Sequence, residues 1–151
     1  MGAFCERDIR EVIYTSSIDS SFARTGACIG VIDPQSVENL EVAINQNDYL
    51  QSGECSKTQT LNMIVRDRKF QELDRRLRQE LLAIDGATVL SVDGQILAVG
   101  AILKIAGGSA GGGRLAAAKT LAEFGLGIKV SQDGGISGFR GIREDPVFRL
   151  M

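Results

Sequence analysis

A single mixed α/β domain is the fold class this sequence predicts, on three observations. Two segments rich in Val, Ile, Leu and Ala, 84–92 and 95–105, are separated by Asp93-Gly94, the strongest short-range signal for an antiparallel hairpin. Phe70, Leu73, Leu77 and Leu81 recur at helical spacing among Arg68, Arg75, Arg76 and Arg78, which predicts an amphipathic helix over 66–82 with a solvated arginine face. A second helix is predicted over 114–124, where Leu115, Ala118, Leu121 and Ala122 mark the buried side and Gly125 suits the position just past the end.

The remaining elements fall around these. Residues 27–32 read as a short buried strand stopped by Asp33-Pro34, after which Ser36 is placed to cap a helix carrying Val37, Leu40 and Ile44. The polar stretch 45–60 reads as a surface loop. Residues 127–131 read as a return strand, followed by a tight turn at Gln132-Asp133-Gly134-Gly135 and a short strand near Ile136. The rest of the N-terminal third and the polar tail carry no clear periodicity. With no internal repeat and no linker, residues 1–151 are read as one domain.

Composition bounds the function. A chain of 151 residues, 44% hydrophobic and 24% charged, can bury one core and would be cramped as two domains. A net charge of −2 argues against a broad basic surface for gripping nucleic acid. Cys5, Cys28 and Cys55 are odd in number and match neither a zinc spacing nor Cys-x-x-Cys, so a disulfide framework is not expected. With no apolar signal core and no membrane-length segment, a cytoplasmic protein without a membrane partner is expected. The chain has no histidine, which removes imidazole bases and His-metal sites.

The most informative local feature is a run of five glycines in the seven positions 107–113, between an apolar stretch and the second helix. Glycines let a backbone approach a ligand closely, and a following helix offers unpaired N–H groups to an anion. The spacing Gly108-Ser109-Ala110-Gly111-Gly112-Gly113 approximates a phosphate loop. It fails as a Walker motif, because Arg114 and Leu115 stand where Lys and a hydroxyl residue are required. A flexible connector is the plain alternative. Arg114, at the helix entrance, opposes the helix dipole unless an anion is near; a solvated arginine or an ion pair to Glu123 are the alternatives.

Two carboxylates complete the candidate set. Asp85, in Asp85-Gly86-Ala87, opens an apolar strand, where an unpaired buried charge would need a metal, a ligand hydroxyl or an arginine; an Asp capping its own turn is the alternative. Asp133 is an ordinary turn residue by its local sequence. Together with the glycine loop and Arg114, these acids suit a nucleotide carrying a divalent cation.

The order Asp85-Gly86-Ala87, then Gly112-Gly113-Arg114-Leu115-Ala116-Ala117-Ala118, then Val130-Ser131-Gln132-Asp133-Gly134-Gly135-Ile136-Ser137 resembles the diadenylate cyclase domain family, in the form found at the N terminus of the DNA-integrity scanning protein. That family carries Asp-Gly-Ala, Gly-x-Arg-His-Arg-Ala-Ala and a Val-Ser-Glu-Glu-like strand and turn followed by Gly-x-Ile-Ser. The likeness covers roughly Phe70 to Phe139.

The resemblance implies a mixed central sheet flanked by helices. It also implies ATP as ligand and, in active members, face-to-face dimers that join two ATP molecules into cyclic di-AMP with magnesium or manganese. Asp85 would serve the metal and the 3′-hydroxyl, with Asp133 as a shortened turn glutamate, making these two the catalytic candidates. Gly86, Ala87, Gly111, Gly112, Gly113, Arg114, Ser131 and Gln132 would contact the nucleotide. Three departures stand out: Leu115 replaces His, Ala116 the second Arg, and Gln132 the first Glu. Losing such donors commonly costs roughly 3 kcal/mol or more of transition-state stabilisation. The expected function is therefore a nucleotide or cyclic-dinucleotide sensor with a degenerate cyclase site. An active cyclase using Lys104 or Lys119, or an oligomerisation module without ligand, are the alternatives.

Overall fold

The computed structural model describes residues 2–104, 113–142 and 145–150, with residues 2–8 by backbone alone. A six-stranded mixed sheet in the order β3-β2-β1-β4-β5-β6 forms its centre. The strands are β1 (Ala27–Ile32), β2 (Ala87–Ser91), β3 (Ile96–Ala101), β4 (Gly125–Val130), β5 (Ile136–Arg140) and β6 (Phe148–Leu150). Only β1 and β2 pair in parallel, Ile29 beside Thr88; the other neighbours are antiparallel. Parallel pairing requires a crossover, and residues 33–86 supply it.

The helices are α1 (Gly2–Ala23), α2 (Ser56–Val65), α3 (Arg75–Ala83) and α4 (Gly113–Ala122). Alternation along β1 separates two cores. Ala27 and Ile29 face a cluster with Ile13, Leu61, Phe70 and Leu81, whereas Cys28 and Ile32 face one with Leu40, Ala118 and Leu121. α4 approaches the sheet at a cross-strand pair of glycines, Gly30 and Gly127. A Cβ on Gly127 would lie 1.9 Å from the Ala118 carbonyl oxygen, and one on Gly30 would lie 2.9 Å from Leu121. These two glycines fix how deep α4 sits, and so where its N-terminus points.

Several sequence expectations change. The helix expected over 66–82 is shorter, because Arg66 and Asp67 adopt left-handed backbone (φ 52° and 59°) and Phe70–Glu72 form a 3-10 turn. Asp74 then caps α3, its carboxylate accepting from Leu77 N at 2.9 Å. The stretch around Val37 and Leu40 makes 3-10 turns rather than an α-helix, and α2 begins inside the expected loop. Gly125 is not a helix cap: it opens β4, where a Cβ would lie 2.1 Å from the Val31 carbonyl oxygen. The tail adds β6.

Candidate functional site

The strand polarities bring three predicted segments to one end of the sheet. The starts of β1 and β2, the end of β4 and the N-terminus of α4 all lie there. Asp85, Gly86 and Ala87 lead into β2 and, with Gly113 and Arg114 at the start of α4, line one cavity of about 280 Å³. Cys28, Ala101, Ile102, Leu103 and Ala117 complete its walls. Gly86 (φ 105°) must be glycine, since a Cβ would lie 2.5 Å from the Gly100 carbonyl carbon.

Asp85 is exposed, in the turn before β2 rather than buried at the head of the strand. No burial cost therefore demands a compensating partner, and among the described residues its carboxylate has no hydrogen bond or ion pair. Arg114 is half-buried. Its guanidinium lies across Gly26, where a Cβ would sit 2.6 Å from Cζ, and Nη2 donates to the Thr25 carbonyl at 3.4 Å. No acid pairs with it among the described residues, Glu123 included. The first turn of α4 carries no acidic side chain either, so the helix dipole and the guanidinium add at the cavity. The Cys28 thiol is pushed up to about 12 by burial, against a weaker opposite pull from Arg114, so it is a neutral wall of the site.

Ser131, Gln132 and Asp133 occupy the turn after β4 and do not line this cavity. Because β4 is separated from β2 by β1 alone, the turn is displaced by two strand spacings, ~10 Å. Asp133 accepts from Gly135 N at 3.2 Å, the turn role its local sequence suggests. Gly111 and Gly112, with most of the glycine run, lie outside the described residues.

Other residues of the site carried no motif. Arg24 donates to the Asp133 carbonyl, and Ser21 Oγ donates to the Gly134 carbonyl at 2.6 Å, so the end of α1 holds the β4–β5 turn. Lys57 bridges Asp48 (3.1 Å) and the Gly100 carbonyl (3.0 Å), while Asp48 accepts from Ile102 N at 3.4 Å. This clip stiffens the β3 rim of the cavity. Gly26 has φ 71° directly before β1, and its lack of a side chain leaves room for the Arg114 guanidinium.

The donor set does not make a resident metal site. Asp85 is the only carboxylate lining the cavity, and no group of three potential ligands occurs among the described residues. A hard cation needs about six oxygens, most of which would have to come from a ligand and water.

Comparison with solved structures supports the fold. The chain aligns over 92% of its length with the hypothetical membrane spanning protein from Bacillus cereus, at 20% identity and a TM-score of 0.62, and spans 63% of that protein. It aligns over 91% of its length with a double mutant of DacA from Staphylococcus aureus, at 17% identity and a TM-score of 0.59, covering 85% of it. No family model matches the chain, and no curated protein matches it by sequence. At these identities the likeness is one of fold: a mixed six-stranded sheet flanked by helices, similar to that of DacA. No helix among the described residues is long and apolar enough to cross a membrane.

Proposed function

We propose that this domain binds an adenine nucleotide or a cyclic adenine dinucleotide as a sensor, on a cyclase-type site that has lost catalytic groups. The observation that carries the reading is the cavity in which Asp85-Gly86-Ala87 faces Gly113 and an Arg114 with no acidic partner among the described residues. A helix N-terminus reinforced by a guanidinium favours phosphate, and an exposed carboxylate opposite suits a ribose hydroxyl. Leu115, at the position of the family's histidine, packs against the core that holds α4, and Ala116 supplies no charge. Binding can survive these losses, because ground-state phosphate contacts do not need the missing donors.

Magnesium or manganese, in this reading, arrives with the phosphates and touches the protein through Asp85. A cytoplasmic setting and a homo-oligomer of the family's face-to-face kind belong to the same proposal. Of the two cationic substitutes that an active enzyme would need, Lys119 is turned to another group: its Nζ sits 5.8 Å from the centre of the Phe139 ring, over its face.

Incubation of the purified chain with ATP and manganese, together with thermal titrations with ATP and cyclic di-AMP, tests the proposal. A rise in melting temperature without cyclic product is expected, since a ligand bound to the native state must stabilise it. Cyclic di-AMP formed at an ordinary enzymatic rate would overturn the sensor reading. No response to any adenine nucleotide would leave an oligomerisation module.

A further inference from the structure

A larger cavity lies elsewhere, on the opposite face of the sheet. It measures about 510 Å³ between residues 9–17 of α1 and strands β1, β4, β5 and β6, against about 280 Å³ for the candidate nucleotide cavity. Ile9 and Ile13 of α1 roof it, and Leu126, Ile128, Ile136 and Leu150 form the floor. The two cavities share no residue.

The C-terminal half of α1 packs through Ser16, Ser17, Ser20 and Ser21, all buried, and Ser17 also lines the cavity. Ser21 Oγ reaches the Gly134 carbonyl at 2.6 Å. Ile9 and Ile13, one turn apart on the same helix, turn apolar side chains to the cavity. Protein interiors do not normally leave apolar space of this size unfilled, whereas pockets of a few hundred Å³ with apolar walls are the usual form of small-molecule sites.

The mouth carries charge. Arg140 pairs with Asp33 at 3.0 Å and the two cancel. Arg10 is exposed and has no ion-pair partner among the described residues, and the Tyr14 ring beside it is 59% exposed. Among the described lining residues the rim therefore holds one net positive charge and a phenol hydroxyl above an apolar chamber.

We propose that this chamber binds a single-chain amphiphile with an anionic head, of the fatty-acid class, its chain lying between α1 and the sheet and its carboxylate at Arg10. An apolar body explains the aliphatic walls, and an anionic head answers the cation at the opening that has no ion-pair partner among the described residues. The proposal is independent of the nucleotide reading, because the site lies on the other face of the sheet and shares no lining residue with the nucleotide cavity.

A dansyl-labelled undecanoic acid is the probe, titrated into the full chain and displaced by sodium dodecanoate, dodecanol or dodecyltrimethylammonium below their micellar concentrations. Saturable binding of one probe per chain is expected, with dodecanoate the best competitor and the cationic amphiphile the worst. Arg10→Glu, at an exposed helix position, should weaken dodecanoate by about tenfold or more and leave dodecanol unchanged. Leu126→Trp should fill the chamber and abolish probe uptake, with circular dichroism checking the fold. Arg114→Ala should bind the probe as the wild type does. Absence of probe binding, or equal dodecanoate affinity in Arg10→Glu, would overturn the proposal. So would loss of binding in Arg114→Ala, or a dimer in sedimentation that Leu126→Trp dissociates, which would make the chamber an interface between copies.

Discussion

Truncating Arg114 to alanine should separate ligand binding from folding. In the free protein the guanidinium makes one long bond, 3.4 Å to the Thr25 carbonyl, and no ion pair among the described residues. Losing that bond costs about 0.5–1 kcal/mol. Removing a positive charge from the start of α4 returns a similar amount, roughly 0.3–1 kcal/mol. The two nearly cancel, so the melting temperature should move by less than about 4 °C for a domain of this size. Binding has no such compensation. A charge-assisted hydrogen bond to phosphate contributes about 1.5–3 kcal/mol, which raises Kd by roughly 10- to 150-fold. Calorimetric titration with cyclic di-AMP and with ATP, beside a thermal melt of each protein, measures both quantities. An unchanged Kd would remove Arg114 from the site, and a melting temperature lowered by more than about 10 °C would make it a structural residue instead.

Three further outcomes follow from local geometry. Gly26→Ala should imitate the loss of Arg114 in binding assays, because the new Cβ occupies the guanidinium's place and φ is 71°; wild-type affinity would show that the guanidinium acts from another position. Gly127→Val should destabilise the fold at the upper end of the roughly 1–3 kcal/mol typical of overpacking, since the obstacle at 1.9 Å is the Ala118 backbone and not a movable side chain; a urea midpoint close to wild type would contradict the packing of α4. The Asp19 carboxylate is held below its usual range by its hydrogen bonds to Arg75, at 2.7 Å. Its folded pKa is depressed, so its contribution is complete above the ordinary carboxylate range near 4 and is lost as pH falls through the folded value. Asp19→Asn should therefore flatten the acid limb of a stability–pH curve, and an unaltered limb would discount the α1–α3 tie.

The hairpin of β2 and β3, the end of β1 at Asp33-Pro34 and the helix after the glycine run were legible because each rests on local chemistry: a turn pair, a breaker, a small-residue helix. The long N-terminal helix was hidden because its buried C-terminal face is made of Ser16, Ser17, Ser20 and Ser21, so hydrophobic periodicity is weak where packing is tightest. The helix predicted over 66–82 had a genuine apolar repeat, and Phe70, Leu73 and Leu81 are indeed buried. What breaks it is left-handed backbone at Arg66 and Asp67, which an apolar pattern does not report.

The candidate site was legible in the same uneven way. Asp85, Gly86, Ala87, Gly113 and Arg114 converge because β1 and β2 run parallel and α4 seats on the Gly30–Gly127 pair. Parallel pairing is a long-range fact that no local signal carries. The resting place of the Arg114 guanidinium on Gly26, and the turn held by Ser21 and Arg24, depend on contacts between distant segments, so they had no signature along the chain.

A crystal soaked with cyclic di-AMP, or with a non-hydrolysable ATP analogue, tests the nucleotide proposal most directly. Phosphate density at the start of α4 within hydrogen-bond reach of Arg114, with ribose towards Asp85 and Gly86, is the predicted result. Full occupancy of the ligand at any other surface, with the cavity between Asp85 and Arg114 holding only solvent, would contradict it.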